Sequence, residues 1–223
     1  PTPLAVDTVR AFSRDRALAV YYCVADFEPV SDDPAAMRRS ERELLSEVDI
    51  VFAGGRVLQD RLRAHHPRVI LTPYAVSDAF FEPARPEPSD LSAIPRPRVM
   101  YVGGLHRHVD EELVLAVAQA LPHMQFIFVG PKFTRPWQAE SLPNTHFIGR
   151  REHTDVPAYI DAADVCIVPY RRSPFTETVW PTKLHEYLAR GRPVVSTPLP
   201  EVELLAYSER DLSVAATAPA FAA

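Results

Sequence analysis

Two loops that follow predicted strands carry residues suited to phosphate binding. The first reads Gly103-Gly-Leu-His-Arg-His-Val-Asp110, in which Gly103 and Gly104 allow a close backbone approach and Arg107 and His108 can meet phosphate oxygens. In the second, Gly149 and Arg150 could offer backbone groups to a base and a guanidinium to a phosphate. Ordinary turns with solvated basic side chains explain both loops equally simply, so both interpretations stand.

A predicted helix between Pro181 and Gly191 places two charged residues on one face. Lys183 and Glu186 are three positions apart, and the helix N-terminus should point to the ligand-binding edge of an α/β sheet. Lys183 could neutralise a phosphate, and Glu186 could accept hydrogen bonds from paired hydroxyls such as those of a ribose. The alternative is a surface Lys–Glu pair worth a few tenths of a kcal/mol, roughly 0.3.

Several chemistries have no support in the sequence. There is no third glycine of a dinucleotide fingerprint, no Gly-x-Ser-x-Gly elbow and no Gly-Lys-Ser/Thr loop. No Asp-x-Asp occurs to hold a divalent metal, and His65 and His66 lack partners at zinc-ligand spacing. We therefore expect no metal and no cofactor.

The elements that must position these residues alternate between strands and helices without hairpin signals, which predicts parallel sheets and the α/β class. The sequence predicts a strand over 17–24, a helix over 34–48 and further strands at 49–53 and 69–71. After a proline-rich stretch the alternation restarts at Arg98. We predict an N-terminal Rossmann-like domain over 1–82, a linker over 83–97 and a C-terminal, doubly wound Rossmann-like domain over 98–223.

Composition narrows the function classes further. The chain has 24 Lys and Arg against 29 Asp and Glu, a net charge of −5, which disfavours nucleic-acid binding. Cys23 and Cys166 sit in apolar runs, which favours a reducing, cytoplasmic location. The sequence has no initial Met and no signal-like leader, and both sheets look incomplete, so we expect a partial chain. Peripheral contact with the inner face of the membrane stays open.

The run Pro181-Thr-Lys-Leu-His-Glu-Tyr-Leu-Ala-Arg-Gly-Arg-Pro-Val-Val-Ser-Thr-Pro-Leu-Pro-Glu-Val202 resembles the donor-site segment of GT-B-fold glycosyltransferases, in particular the family 4-like bacterial group. Tyr101-Val-Gly-Gly104 and the run 159–170 match the same family. The resemblance implies two Rossmann-like domains facing each other across a cleft. The C-terminal domain would hold a nucleotide-diphosphate sugar.

The resemblance also implies roles for particular residues. Glu186 matches the glutamate that binds the ribose, and Gly149 with Arg150 matches the loop whose backbone meets the base. The turn from Gly103 to His108 matches the loop beside the diphosphate, and Thr182 with Lys183 would cradle phosphate oxygens. Two departures stand out: Thr178 occupies the place of the family's first motif glutamate, and Gly104 stands where an arginine is common. We expect Arg107, His108 or Lys183 to supply the missing charge.

The expected function is transfer of a sugar, of the hexosyl type, from the nucleotide-diphosphate sugar to a polysaccharide, glycolipid or small-molecule acceptor. The resemblance implies retention of configuration without a metal. The acceptor-side catalytic residues would lie outside this chain. Two alternatives stay open: a nucleotide-sugar 2-epimerase, and a catalytically silent relative that binds a nucleotide sugar or a partner protein.

Overall fold

The computed structural model describes residues 3–12, 18–133, 136–205 and 211–223 of the 223-residue chain. The chain packs into two compact units, one comprising residues 1–75 with 173–180 and the other residues 76–172 with 181–223. The α/β class with parallel sheets is confirmed. Within the described ranges, no helix is both long and apolar enough to cross a membrane.

The N-terminal unit contains a three-stranded parallel sheet in the order β1-β2-β3. Its strands are β1 Val20–Cys23, β2 Ile50–Ala53 and β3 Val69–Leu71, and its helices are α1 Val6–Ala11, α2 Pro34–Glu47 and α3 Arg56–Arg63. The Asp33 carboxylate accepts a hydrogen bond from the Ala36 amide at 2.8 Å, and Pro34 occupies the first helical position. This cap explains why α2 begins where the sequence predicted. The predicted first strand begins later, at Val20, and Ala17 lies outside the described residues.

The C-terminal unit is built on a six-stranded parallel sheet in the order β6-β5-β4-β7-β8-β9. The strands are β4 Arg98–Val102, β5 Gln125–Val129, β6 Thr145–Gly149, β7 Val165–Val168, β8 Val194–Ser196 and β9 Leu212–Val214. The helices are α4 Glu111–Ala120, α5 Val156–Asp161, α6 Thr182–Ala189, α7 Pro200–Glu203 and α8 Ala218–Ala222. From β4 the chain adds strands first on one side and then on the other. Such a reversal creates a crevice at the carboxyl ends of β4 and β7.

The proline-rich segment 83–97 packs onto the C-terminal unit and is not a free linker. Leu91 is completely buried, and the Arg98 guanidinium donates hydrogen bonds to the Leu91 and Ile94 carbonyls at 2.9 and 2.6 Å. The prediction of a linker rested on the prolines of this segment and did not anticipate the burial of Leu91 or the hydrogen bonds from Arg98 to the Leu91 and Ile94 carbonyls. The structure therefore begins the C-terminal unit at residue 76.

The segment 173–180 is a second difference from the predicted boundaries. Although it lies between β7 and α6 in sequence, it packs with the N-terminal unit. The Asp26 amide donates a hydrogen bond to the Thr178 hydroxyl at 3.1 Å, and that hydroxyl donates to the Phe175 carbonyl at 3.0 Å. The packing of this segment with the N-terminal unit could not be predicted from spacing, because the hydrogen bond between Asp26 and Thr178 joins residues 152 positions apart.

Candidate functional site

Tyr187 fixes α6 beneath the crevice. Its side chain is fully buried, and its hydroxyl accepts a hydrogen bond from the Val102 amide at 2.7 Å and donates one to the Val102 carbonyl at 3.3 Å. Strands β4 and β7 pair only through Val99 and Met100 of β4. Beyond Met100, the Tyr187 hydroxyl bonds to the Val102 amide and carbonyl, which would otherwise bond to a neighbouring strand. The two strands part there, and the N-terminus of α6 lies at the opening.

A cleft of about 370 Å³ lies at this opening, within the C-terminal unit. It contains five of the residues proposed from sequence, namely Gly103, Arg150, Thr182, Lys183 and Glu186. It is also lined by Val102, Val129, Gly130, Pro131, Arg151, Glu152, His153 and Val156. The loops after β4, β5 and β6 and the first turn of α6 therefore line the same cleft.

Two glycines allow the strand-end loops to approach closely. Gly103 and Gly130 have φ angles of 138° and 153°, which side chains disfavour. A Cβ atom on Gly130 would lie 2.0 Å from the Gly103 carbonyl oxygen. The Gly130 amide in turn donates to the Gly149 carbonyl at 2.9 Å. Gly149 thus supports the cleft through its backbone, although its own atoms are not among the lining.

Lys183 is held at the wall of the cleft by two tyrosines. Its Nζ donates a hydrogen bond to the Tyr170 hydroxyl at 2.5 Å and lies 4.7 and 4.9 Å from the ring centroids of Tyr170 and Tyr101. Gly103 leaves room for the lysine, because a Cβ there would lie 2.9 Å from the Lys183 Cε. The ammonium group therefore projects from the first turn of α6, where free helix N–H groups already favour anions.

The loop after β4 contains two imidazoles beside this lysine. The His106 and His108 ring centroids are 5.3 Å apart, and the His106 ring lies 5.8 Å from that of Tyr170. Burial, with the positive charge of Lys183 added, lowers the pKa of His106 to about 4. Burial and then Arg107 also lower the pKa of His108. Lowered pKa values favour the neutral imidazoles, so Arg107 and Lys183 are the stronger sources of positive charge here.

Glu186 lies one turn further along α6, with its side chain 21% exposed. His153 Nε2 is 3.3 Å from Glu186 Oε1, and the His153 ring packs against buried Phe80 with centroids 5.4 Å apart. These contacts orient the carboxylate toward the cleft, which both residues line. A carboxylate at the edge of such a cleft can accept two hydroxyl hydrogen bonds.

The remaining predicted residues lie outside the lining of this cleft. Gly104 packs against the exposed ring of Phe133, whose Cε2 would be 2.8 Å from an added Cβ. Arg107 and His108 lie further along the same loop, which is joined to the loop after β7 by the Val109–Tyr170 bridge. Thr178 belongs to the N-terminal unit, where its hydroxyl bonds to backbone groups of Asp26 and Phe175.

Sequence reasoning missed Tyr170, Arg151 and His153. Tyr170 follows β7, a position that the strand-end rule could have flagged. Arg151 and His153 follow β6, beside the Gly149-Arg150 turn already singled out. In residues 3–12, 18–133, 136–205 and 211–223, no group of three or more His, Cys, Asp and Glu side chains could hold a metal ion.

Comparison with known proteins relates this geometry to a family. A model of the family described as glycosyl transferases group 1 matches residues 96–223. TuaH of Bacillus subtilis (strain 168), whose name assigns it to teichuronic acid biosynthesis as a glycosyltransferase, is 36% identical over 104 residues, which are 45% of this chain and 26% of TuaH. The chain thus matches about a quarter of that curated relative.

Solved glycosyltransferase structures share the fold. Anabaena HepE in complex with UDP and glucose superposes with a TM-score of 0.73 at 18% identity, covering 99% of this chain and 64% of HepE. Sucrose-phosphate synthase from Thermosynechococcus elongatus gives a TM-score of 0.72 at 20% identity, covering 99% of this chain and 61% of the synthase. The α/β fold with parallel sheets thus matches that of GT-B glycosyltransferases, of which this chain spans part. Because the family model covers more than half of the sequence, the chain belongs to the glycosyl transferases group 1 family.

Proposed function

We propose that the protein containing this chain transfers a glycosyl group, of the hexosyl type, from a nucleotide-diphosphate sugar to a carbohydrate acceptor. The observation that carries the proposal is the cleft at the carboxyl ends of β4 and β7, which Lys183 and Thr182 line from the first turn of α6 and Glu186 lines one turn further along the same helix. This spacing of a cation and a carboxylate along one helix suits a diphosphate and a ribose. HepE, which shares the fold, was solved with UDP and with UDP-glucose, and this supports a uridine donor.

Each side of the cleft has a role in the proposed reaction. Glu186 accepts hydrogen bonds from the ribose hydroxyls, and the loop 149–153 contacts the base. As the bond between the anomeric carbon and the diphosphate oxygen breaks, its electron pair goes to the diphosphate, and the anomeric carbon bonds to an acceptor hydroxyl oxygen, whose proton is released to the departing diphosphate or to solvent. Lys183 and the amides of the α6 first turn stabilise that developing charge more than the ground state, which lowers the barrier.

The acceptor and the stereochemistry are part of the same proposal. The name of TuaH supports an acceptor in the synthesis of an envelope polysaccharide. We propose retention of the anomeric configuration without a metal, with charge stabilisation supplied by basic side chains and N–H groups. The residues that contact the acceptor would lie in the N-terminal part of the protein.

A calorimetric titration of the full-length protein tests the donor site. UDP, GDP, ADP and their sugar conjugates are titrated into the wild type, Glu186→Ala and the matched control Glu203→Ala, whose side chain is exposed on α7. A hydrogen-bonded carboxylate contributes about 1.5–3 kcal/mol, so Glu186→Ala should weaken binding of one nucleotide family roughly 10- to 150-fold. Equal affinity of the wild type and Glu186→Ala would contradict the assignment of Glu186.

Product analysis separates the proposed transferase from its alternatives. A transferase releases nucleoside diphosphate together with a glycosylated acceptor. A 2-epimerase converts the donor into its epimer without an acceptor. A silent relative binds the donor and yields neither product, and that result would overturn the proposed activity while leaving the binding site in place.

A further inference from the structure

The Arg151 side chain makes hydrogen bonds to three different parts of the chain. Its guanidinium donates hydrogen bonds to the Asp90 carboxylate at 2.7 Å, to the Tyr159 hydroxyl at 2.7 Å and to the Arg150 carbonyl at 2.8 Å. The Tyr159 hydroxyl also donates to Asp90 at 2.8 Å. Arg151, Asp90 and Tyr159 therefore form a closed triangle, and a fourth bond leads from Arg151 into the main chain. We call these three residues the Arg151 clamp.

The clamp joins two distant parts of the sequence. Asp90 lies in the 3-10 turn Ser89–Leu91 of the proline-rich segment, 61 positions before Arg151. Neighbouring Leu91 is completely buried, so the turn that carries Asp90 is fixed to the unit. Tyr159 is 4% exposed on α5. Asp90 and Tyr159 thus lie on backbone that packing holds in place, whereas Arg151 lies in a loop.

The clamp reaches the donor cleft through one residue. Arg151 lines the cleft, and the Arg150 carbonyl that it holds belongs to the loop that also contributes Arg150, Glu152 and His153 to the lining. Asp90 is absent from that lining and lines a separate pocket on the other side of Arg151. Asp90 therefore does not line the cleft itself and is connected to it through its hydrogen bond to Arg151.

The charge of Asp90 is maintained in the folded protein. Burial alone would raise the pKa of its carboxyl, but the hydrogen bonds from Arg151 and Tyr159 outweigh burial and hold the pKa below its usual value. Charge-assisted hydrogen bonds are short and strong, which is consistent with the 2.7 Å contact to Arg151. An ionised Asp90 fixes the guanidinium more firmly than a neutral side chain would.

We propose that Asp90 is a positioning residue for donor binding, which fixes the nucleotide-contacting loop 149–153 through Arg151 without touching the donor. The inference rests on the proposed function, since it requires a nucleotide in the cleft. Removing Asp90 leaves the guanidinium with only the Tyr159 hydroxyl and the Arg150 carbonyl as partners, so the loop is held less firmly and must be ordered further when the nucleotide binds. The affinity for UDP should then fall, because ordering the loop on binding costs free energy, whereas in the wild type the loop is already ordered on folding.

Calorimetry with UDP and donor kinetics on the full-length protein test the proposal. We expect Asp90→Ala to weaken UDP binding about tenfold, equivalent to about 1.4 kcal/mol, and to raise the donor KM similarly, with kcat changed less than about twofold. The exposed Asp78→Ala, in the preceding 3-10 turn, is the matched control and should bind as the wild type does. In an Arg151→Ala background, Asp90→Ala should have no further effect, because Asp90 acts only through Arg151.

Two conservative variants protect the test against misfolding. Asp90→Asn and Tyr159→Phe each remove one part of the clamp, and each should weaken UDP binding by a smaller factor with an unchanged thermal midpoint. Wild-type affinity in every Asp90 variant, or an undiminished effect of Asp90→Ala in the Arg151→Ala background, would overturn the inference while Glu186→Ala still reports the donor site. Failure of the wild type to bind any nucleotide would overturn the proposed function and this inference together.

Discussion

Replacing Tyr187 by Phe tests how the crevice is held open. The substitution keeps the buried ring and removes the hydroxyl that bonds to both the amide and the carbonyl of Val102. Each backbone group left unpaired in the interior costs about 1–3 kcal/mol. The 3.3 Å contact to the carbonyl is the weaker of the two, so we expect a loss of about 2–4 kcal/mol in the unfolding free energy of the C-terminal unit.

Urea unfolding measures the change in the unfolding free energy of the C-terminal unit. Amide hydrogen exchange at Val102 measures the change in local stability around the lost hydroxyl. The Val102 amide should lose protection by roughly tenfold or more, since a factor of ten corresponds to about 1.4 kcal/mol. Tyr22→Phe, at a partly exposed tyrosine of the N-terminal unit, is the control for the loss of a hydroxyl. A change below about 0.5 kcal/mol with unaltered exchange at Val102 would refute the reasoning.

Two further predictions concern the charged wall of the cleft. Lys183→Ala should weaken diphosphate binding about tenfold or more, whereas Arg107→Ala should have a smaller effect because Arg107 is not among the lining; equal effects measured by calorimetry would contradict this order. His106 has a folded pKa of about 4 against an ordinary 6.5. The unfolded chain therefore takes up a proton first, so the stability that neutral His106 provides is complete above about pH 6.5 and is lost as the pH falls toward 4. Urea unfolding at several pH values should show a weaker dependence in His106→Gln, and an unchanged slope would argue against it.

The sequence predicted the fold because its local signals are strong. Asp33 caps α2 at the predicted start, since its carboxylate accepts a hydrogen bond from the Ala36 amide, and Asp110 caps α4 through the Leu113 amide in the same way. The alternation of strands and helices predicted parallel pairing, and the register between β4 and β5 confirms it. The short β9 was missed although the equally short β3 was predicted, because β3 is an uninterrupted apolar run, whereas Ser213 interrupts the apolar run of β9.

The site was predicted less completely, because half of it depends on contacts between distant residues. Lys183 and Glu186 could be placed on one face from helical spacing alone, and the cleft brings them together. The Tyr170–Lys183 hydrogen bond and the Asp90–Arg151 pair have no signature in spacing. Thr178, which occupies the place of the family's first motif glutamate in the resemblance, bonds through its hydroxyl to backbone groups of Asp26 and Phe175, and that contact too has no signature in spacing.

Gly104 stands where the resemblance would place an arginine, and the neighbouring Gly103 together with Lys183 gives the cleft a cation in another way. An L-residue at Gly103 would be strained at a φ of 138°, and its Cβ would meet the Lys183 Cε at 2.9 Å. The loop therefore contributes backbone and space, and the helix contributes the charge. The two tyrosine rings beside the Nζ stabilise the ammonium by cation–π contact where water is partly excluded. A side chain introduced at Gly103 should thus impair anion binding by displacing Lys183, even though it removes no charged group.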